Sequence, residues 1–285
     1  MNLELSTIDK TKMAYQIRRD IVRMVHQVQS GHPGGSLGCV EYFVNLFFEV
    51  MEHNPKEFTM EGIGQDMFFL SNGHITPVYY SILARSGYFP IEELKTFRKI
   101  HSRLQGHPAT LEGLPGIRVA TGSLGQGLSV AVGAAQAKKL INDNKTVFVL
   151  TGDGELNEGQ IWEAFMYSAH HQVDNLFITI DYNQQQIDGP THEVMNLFDL
   201  KAKLIAFGLE VIELKEGNHI HAVHEALLKG KSLLGKGKPV VLILHTIMGH
   251  GVSFMAGTHH WHGVAPNDEQ LQIALKENPE TYGDY

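Results

Sequence analysis

Apolar side chains recur at helical spacing from residue 8 to residue 29, at Ile17, Ile21, Met24, Val25 and Val28, with basic residues mostly between them, so the chain opens on a helix that ends where SGHPGG begins. Residues 40–51 suit a buried helix, FFLSNGH (68–74) a short strand running into a loop, and PIEELKTFR (90–98) a helix with proline in its first turn. Beyond residue 120 the pattern sharpens. GSLGQG (122–127) leads into a small-residue apolar helix, LSVAVGAAQAKKL (128–140), and TVFVL (146–150) is a strand bounded by polar turns. NEGQIWEAFMYSAHH, LFDLKAKLIAF and HAVHEALLKGKSL predict helices, while LFITID (176–181), LEVIEL (209–214) and PVVLILHT (239–246) predict strands. Strands that are almost wholly apolar and alternate with helices imply an α/β fold, an open and mostly parallel sheet with helices on both faces. No internal repeat, low-complexity tract or compositional break divides the chain, so residues 1–285 are expected to form one domain.

Composition excludes more than it selects. Twenty-three Lys and Arg against 31 Asp and Glu leave a net charge of -8, which offers no footprint for nucleic acid. Cys39 is the only cysteine, so no disulfide can form within the chain. The start MNLELSTIDK lacks the basic and apolar regions of a signal peptide, and no run of about 18 apolar residues appears; the expectation is a cytoplasmic chain without a membrane span. Two counts stand out, 29 glycines and 17 histidines. The glycines gather in GHPGGSLG (31–38), GSLGQG, GDG (152–154) and MGHGVSFMAG (248–257), as in loops where backbone passes close to something.

In a parallel sheet, ligands collect at the carboxyl ends of strands, where both TGDGELNEG and DYNQQQIDG fall. GDG places the Asp153 carboxylate between two residues that permit tight backbone geometry, and the N–H groups before the next helix can receive a phosphate at Gly154. Magnesium favours few protein oxygens completed by phosphate and water, so Asp153, the Asn183 amide oxygen and one nearby carbonyl would suffice. Either loop alone reads as a plain turn or strand end; their pairing across one helix and one strand points to a site. GSLGQG runs G-x-x-G-x-G, not the dinucleotide order, and GHPGGSLG lacks the G-K-[ST] of a nucleotide-hydrolysing loop. His32, His74, His107 and His262 sit beside glycine or proline in expected loops, whereas His26, His170, His171, His221 and His224 are placed on helices in surface or packing roles. THHWHG (258–263) reads as a solvated loop or a local zinc site.

Taken together, SGHPGGSLG, FLSNGH, GHP, LPGIRVATGSLGQGLSVAVG, GDGELNEGQIWEA, DYNQQQIDG and AGTHHWHG resemble, in order and spacing, the amino-terminal diphosphate-binding half of transketolase, over about residues 10–265. The resemblance implies thiamine diphosphate and magnesium, with calcium or manganese as substitutes. It implies Asp153, Asn183 and the Gln185 carbonyl as metal ligands, and Gly154, His74 and His262 as contacts to the diphosphate. Gly122 and Leu124 match positions beside the cofactor rings, and Ile187 an apolar contact to the thiazolium. His32, His107 and His262 are implied in catalysis, the first two beside the donor's reacting carbonyl. Glu158 and Glu163 match glutamates of a subunit contact that relays protons, and equally suit the charged first turn of an ordinary helix. Tyr182 departs from the usual asparagine or aspartate before Asn183, and the QQQ run leaves the Gln185 carbonyl assigned by spacing alone.

By resemblance the reaction moves a two-carbon ketol unit between sugar phosphates. Usual transketolases are more than twice as long, and their pyrimidine-binding and carboxy-terminal domains have no counterpart here. The expectation is therefore one subunit of a split, two-chain enzyme, an α2β2 assembly with its active site between unlike chains. Alternatives are a split ketolase for a branched or sulfonated sugar, the alpha chain of a 2-oxoacid dehydrogenase, a deoxyxylulose-phosphate synthase, and a non-catalytic scaffold that keeps the cofactor domain. The histidines of SGHPGG, SNGH and GHP suit sugar hydroxyls better than an oxoacid.

Overall fold

A computed structural model describes residues 9–285; the reading of the amino-terminal start, and Ile8 of the opening helix, lie outside the described residues. Helix α1 spans Lys10–Val28, begun by the Asp9 side chain accepting from the Lys12 N–H and ended by Gln29 in the left-handed conformation. Then follow α2 (Pro33–Gly38), α3 (Val40–Asn45) continuing as a wider π turn over Leu46–Val50, strand β1 (Met67–Leu70), α4 (Thr76–Arg85) and α5 (Gly127–Leu140). Next come β2 (Val147–Gly152), α6 (Gly159–His170), β3 (Leu176–Asp181), a small hairpin of β4 (Gln185–Gln186) and β5 (Gly189–Pro190), α7 (Thr191–Val194) and α8 (Leu200–Ala206). Strand β6 (Glu210–Leu214), α9 (Ile220–Leu233), β7 (Val240–Leu244) and α10 (Asp268–Glu277) complete the order.

The main sheet is parallel throughout, in the order β1-β2-β3-β7-β6. Alternation of side chains splits the strands' apolar residues between two layers. Phe68, Leu70, Phe148, Leu150, Phe177 and Leu242 pack with α1, α3, α4 and α9, while Met67, Phe69, Val147, Val149, Ile178 and Ile243 pack with α5, α6 and α8. Both faces are covered, which explains why the strands read as continuous apolar runs. Register then aligns the strand ends, with Gly152 opposite Asp181 and Asp181 opposite Leu244. The loops leaving β1, β2, β3 and β7 therefore open at one edge.

Two expectations need correction. PIEELKTFR winds as a tighter 3₁₀ turn over Ile91–Thr96, because only Leu94 of those six residues is buried and there is too little apolar surface to hold a longer helix. Residues 33–38, read as loop, form α2, and their glycines allow close packing rather than a turn. A Cβ on Gly34 would stand 2.8 Å from the Trp261 carbonyl oxygen, and one on Gly38 3.1 Å from that of Ile247. Helices α4 and α10 had no sequence expectation; α10 begins with a reciprocal cap between Asn267 and Gln270. His171 lies just past the end of α6. No helix among the described residues is long and apolar enough to cross a membrane.

Helix α9 touches the sheet through Gly230, where an added Cβ would fall 2.1 Å from the Phe177 ring. Gly230→Ala should destabilise the chain by about 1–3 kcal/mol despite alanine's better helix propensity, because the buried ring has nowhere to move. Urea unfolding of the two proteins measures this.

Candidate active site

The open edge of the sheet holds a cavity of about 260 Å³. Its floor is β2 and β3. Asp153 follows β2 and is 2% exposed, with one carboxylate oxygen accepting from the Gly154 N–H at 2.8 Å and the other from the Gln184 N–H at 2.6 Å. Asp181 ends β3, fully enclosed, and accepts from the Thr246 hydroxyl and from Asn183 Nδ2. That bond orients the Asn183 amide, whose oxygen accepts from the Gln185 N–H at 2.9 Å. Gln184 between them takes a left-handed φ of 61°, which turns the chain into the β4–β5 hairpin.

Burial sets the electrostatics. It raises the Asp153 carboxyl, with Asp181 adding like-charge repulsion, to about 8. Burial also raises the Asp181 and Glu155 carboxyls. These acids sit where a cation would remove the repulsion between them. Asp153, Asn183 and Gln185 all line this cavity.

Across the cavity stand the imidazoles. The His32 ring lies 5.2 Å from His74 and 5.7 Å from His262, and His74 and His262 stack at 5.1 Å. His107, on the rim, is 6.2 Å from His32 and lies against Gly122, whose φ of 141° leaves no room for a side chain; a Cβ there would be 2.8 Å from the ring. Burial, then His262, Arg98 and His107, lower His32 to about 4. Burial and its histidine neighbours keep His74 neutral as well, burial and His259 lower His262, and burial and Arg98 lower His107. At neutral pH each ring thus offers one N–H donor and one acceptor. Nδ1 of His32 and Nδ1 of His262 are buried without a partner, so a group entering the cavity has polar atoms waiting for it.

Of the sequence candidates, His32, His74, Gly122, Leu124, Asp153, Gly154, Asn183, Gln185, Ile187 and His262 line this one cavity. Glu158 and Glu163 do not reach it: both are exposed on α6, Glu158 at its start and Glu163 in a shallow groove with Ser129 and Tyr167 of α5 and α6. The histidines of THHWHG divide, His262 lining the cavity while the rings of His259 and His260 lie tilted against each other at 4.3 Å. Sequence reasoning passed over Asn72, Glu155, Asp181 and Met248. Glu155 is 2% exposed and accepts from the Ser71 hydroxyl, the Gly125 N–H at 2.8 Å and the Gly152 N–H at 3.1 Å, which ties three of the loops together. Its adjacency to GDG was the available signal.

A parallel α/β sheet with buried carboxyls, a helix-leading glycine and uncharged histidines at its strand ends suits a diphosphate cofactor. The chain belongs to the family described as transketolase, thiamine diphosphate binding domain, which matches residues 9–280. It is 39% identical over 274 residues to an apulose-4-phosphate transketolase subunit from Actinobacillus succinogenes, covering 96% of this chain and 97% of that one. It is 37% identical over 273 residues to a 6-deoxy-6-sulfo-D-fructose transketolase subunit from a Clostridium species, covering 95% and 96%. Transketolase from Leishmania mexicana superposes with a TM-score of 0.88 at 32% identity, over 95% of this chain and 41% of its own. The chain thus spans about two fifths of that whole transketolase.

Asp153 keeps its proton to higher pH in the folded than in the unfolded chain, so between pH 3.8 and about 8 rising pH withdraws stability through this group. Asp153→Asn should therefore unfold at a higher temperature than the parent, by a margin that grows from pH 5 to about pH 8 in the absence of divalent metal. Differential scanning fluorimetry across pH measures this.

Proposed function

We propose that this chain is the cofactor-binding subunit of a two-chain transketolase, moving a two-carbon ketol unit from a ketose phosphate to an aldose phosphate through thiamine diphosphate. The observation that carries the reading is the meeting of His32, His74 and His262 with Asp153 and Asn183 in one cavity. Asp153, the Asn183 amide oxygen and the Gln185 carbonyl would hold magnesium, for which calcium or manganese can substitute. The Gly154 N–H, His74 and His262 would receive the diphosphate, and Leu124, Gly122 and Ile187 would flank the rings. Ile187, 64% exposed, has apolar surface to offer a ligand or a neighbouring chain.

The cofactor, when bound, supplies the carbanion-stabilising chemistry that two-carbon transfer requires. The chain's own task is to place groups and move protons. His32 lines the cavity and His107 stands on its rim, both as neutral imidazoles able to donate to a sugar oxygen and to take a hydroxyl proton without prior loss of one. His262, its ring 5.7 Å from that of His32, adds a third such group. A separate chain would supply the pyrimidine-binding contacts, in an α2β2 assembly where Glu158 and Glu163 face a second copy of this subunit. Support comes from relatives of matching length that are named as subunits and from whole transketolases that match over two fifths of their length. Those subunits' names refer to apulose 4-phosphate and to a sulfonated fructose, which favours an uncommon branched or sulfonated sugar as a second reading of the donor.

Purification from native cells should yield the chain with a second polypeptide in equal amount, and the pair should transfer a ketol unit while this chain alone should not. Full transfer by this chain without a partner would overturn the two-chain reading. His107→Ala in the assembly should lower turnover by about 10²–10⁴-fold, the range for a positioned acid–base group, with cofactor binding retained. A panel of common, branched and sulfonated ketose phosphates assayed with the same pair selects between the donor classes.

A further inference from the structure

Asn72 has no role in the readings above, although it lies deeper than most of the cavity wall. It is 1% exposed and lines the cavity, and its carboxamide oxygen finds no donor. Its nitrogen stands 3.8 Å from the place where a Cβ on Gly152 would be, beside the end of β2 that carries Asp153 and Gly154. The nitrogen makes no hydrogen bond to the described residues and is free to meet a group that enters the cavity, while the buried oxygen lacks a donor.

The backbone around Asn72 is held on both sides. The Ser71 N–H donates to the Leu150 carbonyl at 2.9 Å, and the Ser71 hydroxyl donates to Glu155. The Gly73 N–H donates to the Ser71 carbonyl at 2.8 Å, and the Ile75 N–H to that of Asn72. Gly73 itself is pressed onto the neighbouring loop so closely that a Cβ would stand 2.4 Å from the Thr121 hydroxyl oxygen. With its main chain fixed between Glu155 and Thr121, the Asn72 side chain has little freedom to leave the cavity. The remaining orphaned atoms of this cavity, on His32 and His262, lie among the histidines, whereas Asn72 serves the end nearest Gly152 and Asp153.

We propose that Asn72 is a further binding residue of the site, its carboxamide NH₂ donating to an oxygen of the diphosphate at the Asp153–Gly154 end. The inference rests on the cofactor reading above. An amide suits this position because it adds a donor toward an anion without adding charge beside Asp153, and rotation of the amide lets the ligand select which end it meets.

The test uses the assembly with its partner chain, stripped of cofactor, and two probes: magnesium with thiamine diphosphate, and magnesium with inorganic diphosphate, both by isothermal titration. Asn72→Ala should weaken both probes by about 10- to 100-fold, the range for a hydrogen bond to a charged group. The unfolding temperature of the stripped assembly should stay level or rise, since no internal partner is lost. Asn72→Asp, of equal size, should weaken inorganic diphosphate further than alanine does at pH 8, through repulsion. Unchanged affinity for inorganic diphosphate in both variants overturns the proposal, as does a loss confined to thiamine diphosphate, or a fall in stability with affinity intact. If the unaltered assembly binds neither probe, the cofactor reading fails first and the Asn72 proposal with it.

Discussion

One buried carboxylate holds the binding edge together. Glu155 reaches from the turn after β2 to the Ser71 hydroxyl at the end of β1, to the Gly125 N–H in the loop before α5, and back to the Gly152 N–H at the end of its own strand. A neutral side chain of the same shape would satisfy these donors less well, because three hydrogens converge on two oxygens and an acceptor-only group suits them best. Everything that touches the cavity from β1 and from the glycine-rich loop, including His74 and Leu124, takes its position from these bonds. The cost is a further acid in a region that already holds Asp153 and Asp181.

That cost explains the division of the cavity into two chemistries. On the strand side, burial disfavours the ionised forms of Asp153 and Asp181, and the nearness of Asp181 adds to this at Asp153. On the opposite side, burial and mutual proximity strip the histidines of charge. The result is a site with one wall that favours a cation and another that favours donors without fixed charge. The magnesium diphosphate of the proposed function, with its positive and negative ends, would suit both.

Much of this was legible in the sequence because parallel strands buried on both faces leave plain marks. LFITID and PVVLILHT read as strands, and the loops that follow them had to lie at the carboxyl edge. Asp153 and Asn183 could be singled out because each follows such a strand. Helix α2 was not legible: six residues with three glycines carry no helical preference, and the segment winds because it is enclosed by Met248, Ile247 and Trp261, which are distant in sequence. The convergence of the four histidines was likewise invisible to pattern alone and rested on resemblance. Asn72 and Glu155 went unremarked because a buried polar residue beside a motif looks, in one dimension, like ordinary loop polarity; only the hydrogen-bond inventory sets them apart.

The packing of α2 reaches further than its length. The Gly249 N–H donates to the Gly34 carbonyl at 2.8 Å, and Gly34 lies in contact range of both Met248 and Trp261, so the segment that delivers His262 rests on the same short helix that follows His32. Residues near the two ends of the described chain are in this way brought to one cavity. No fragment contains the whole constellation, and local openings that spare the sheet can still take it apart. Occupancy of this cavity is therefore a report on the integrity of nearly the entire polypeptide, so that a small ligand held there resists proteolysis and hydrogen exchange on behalf of residues far from any contact with it.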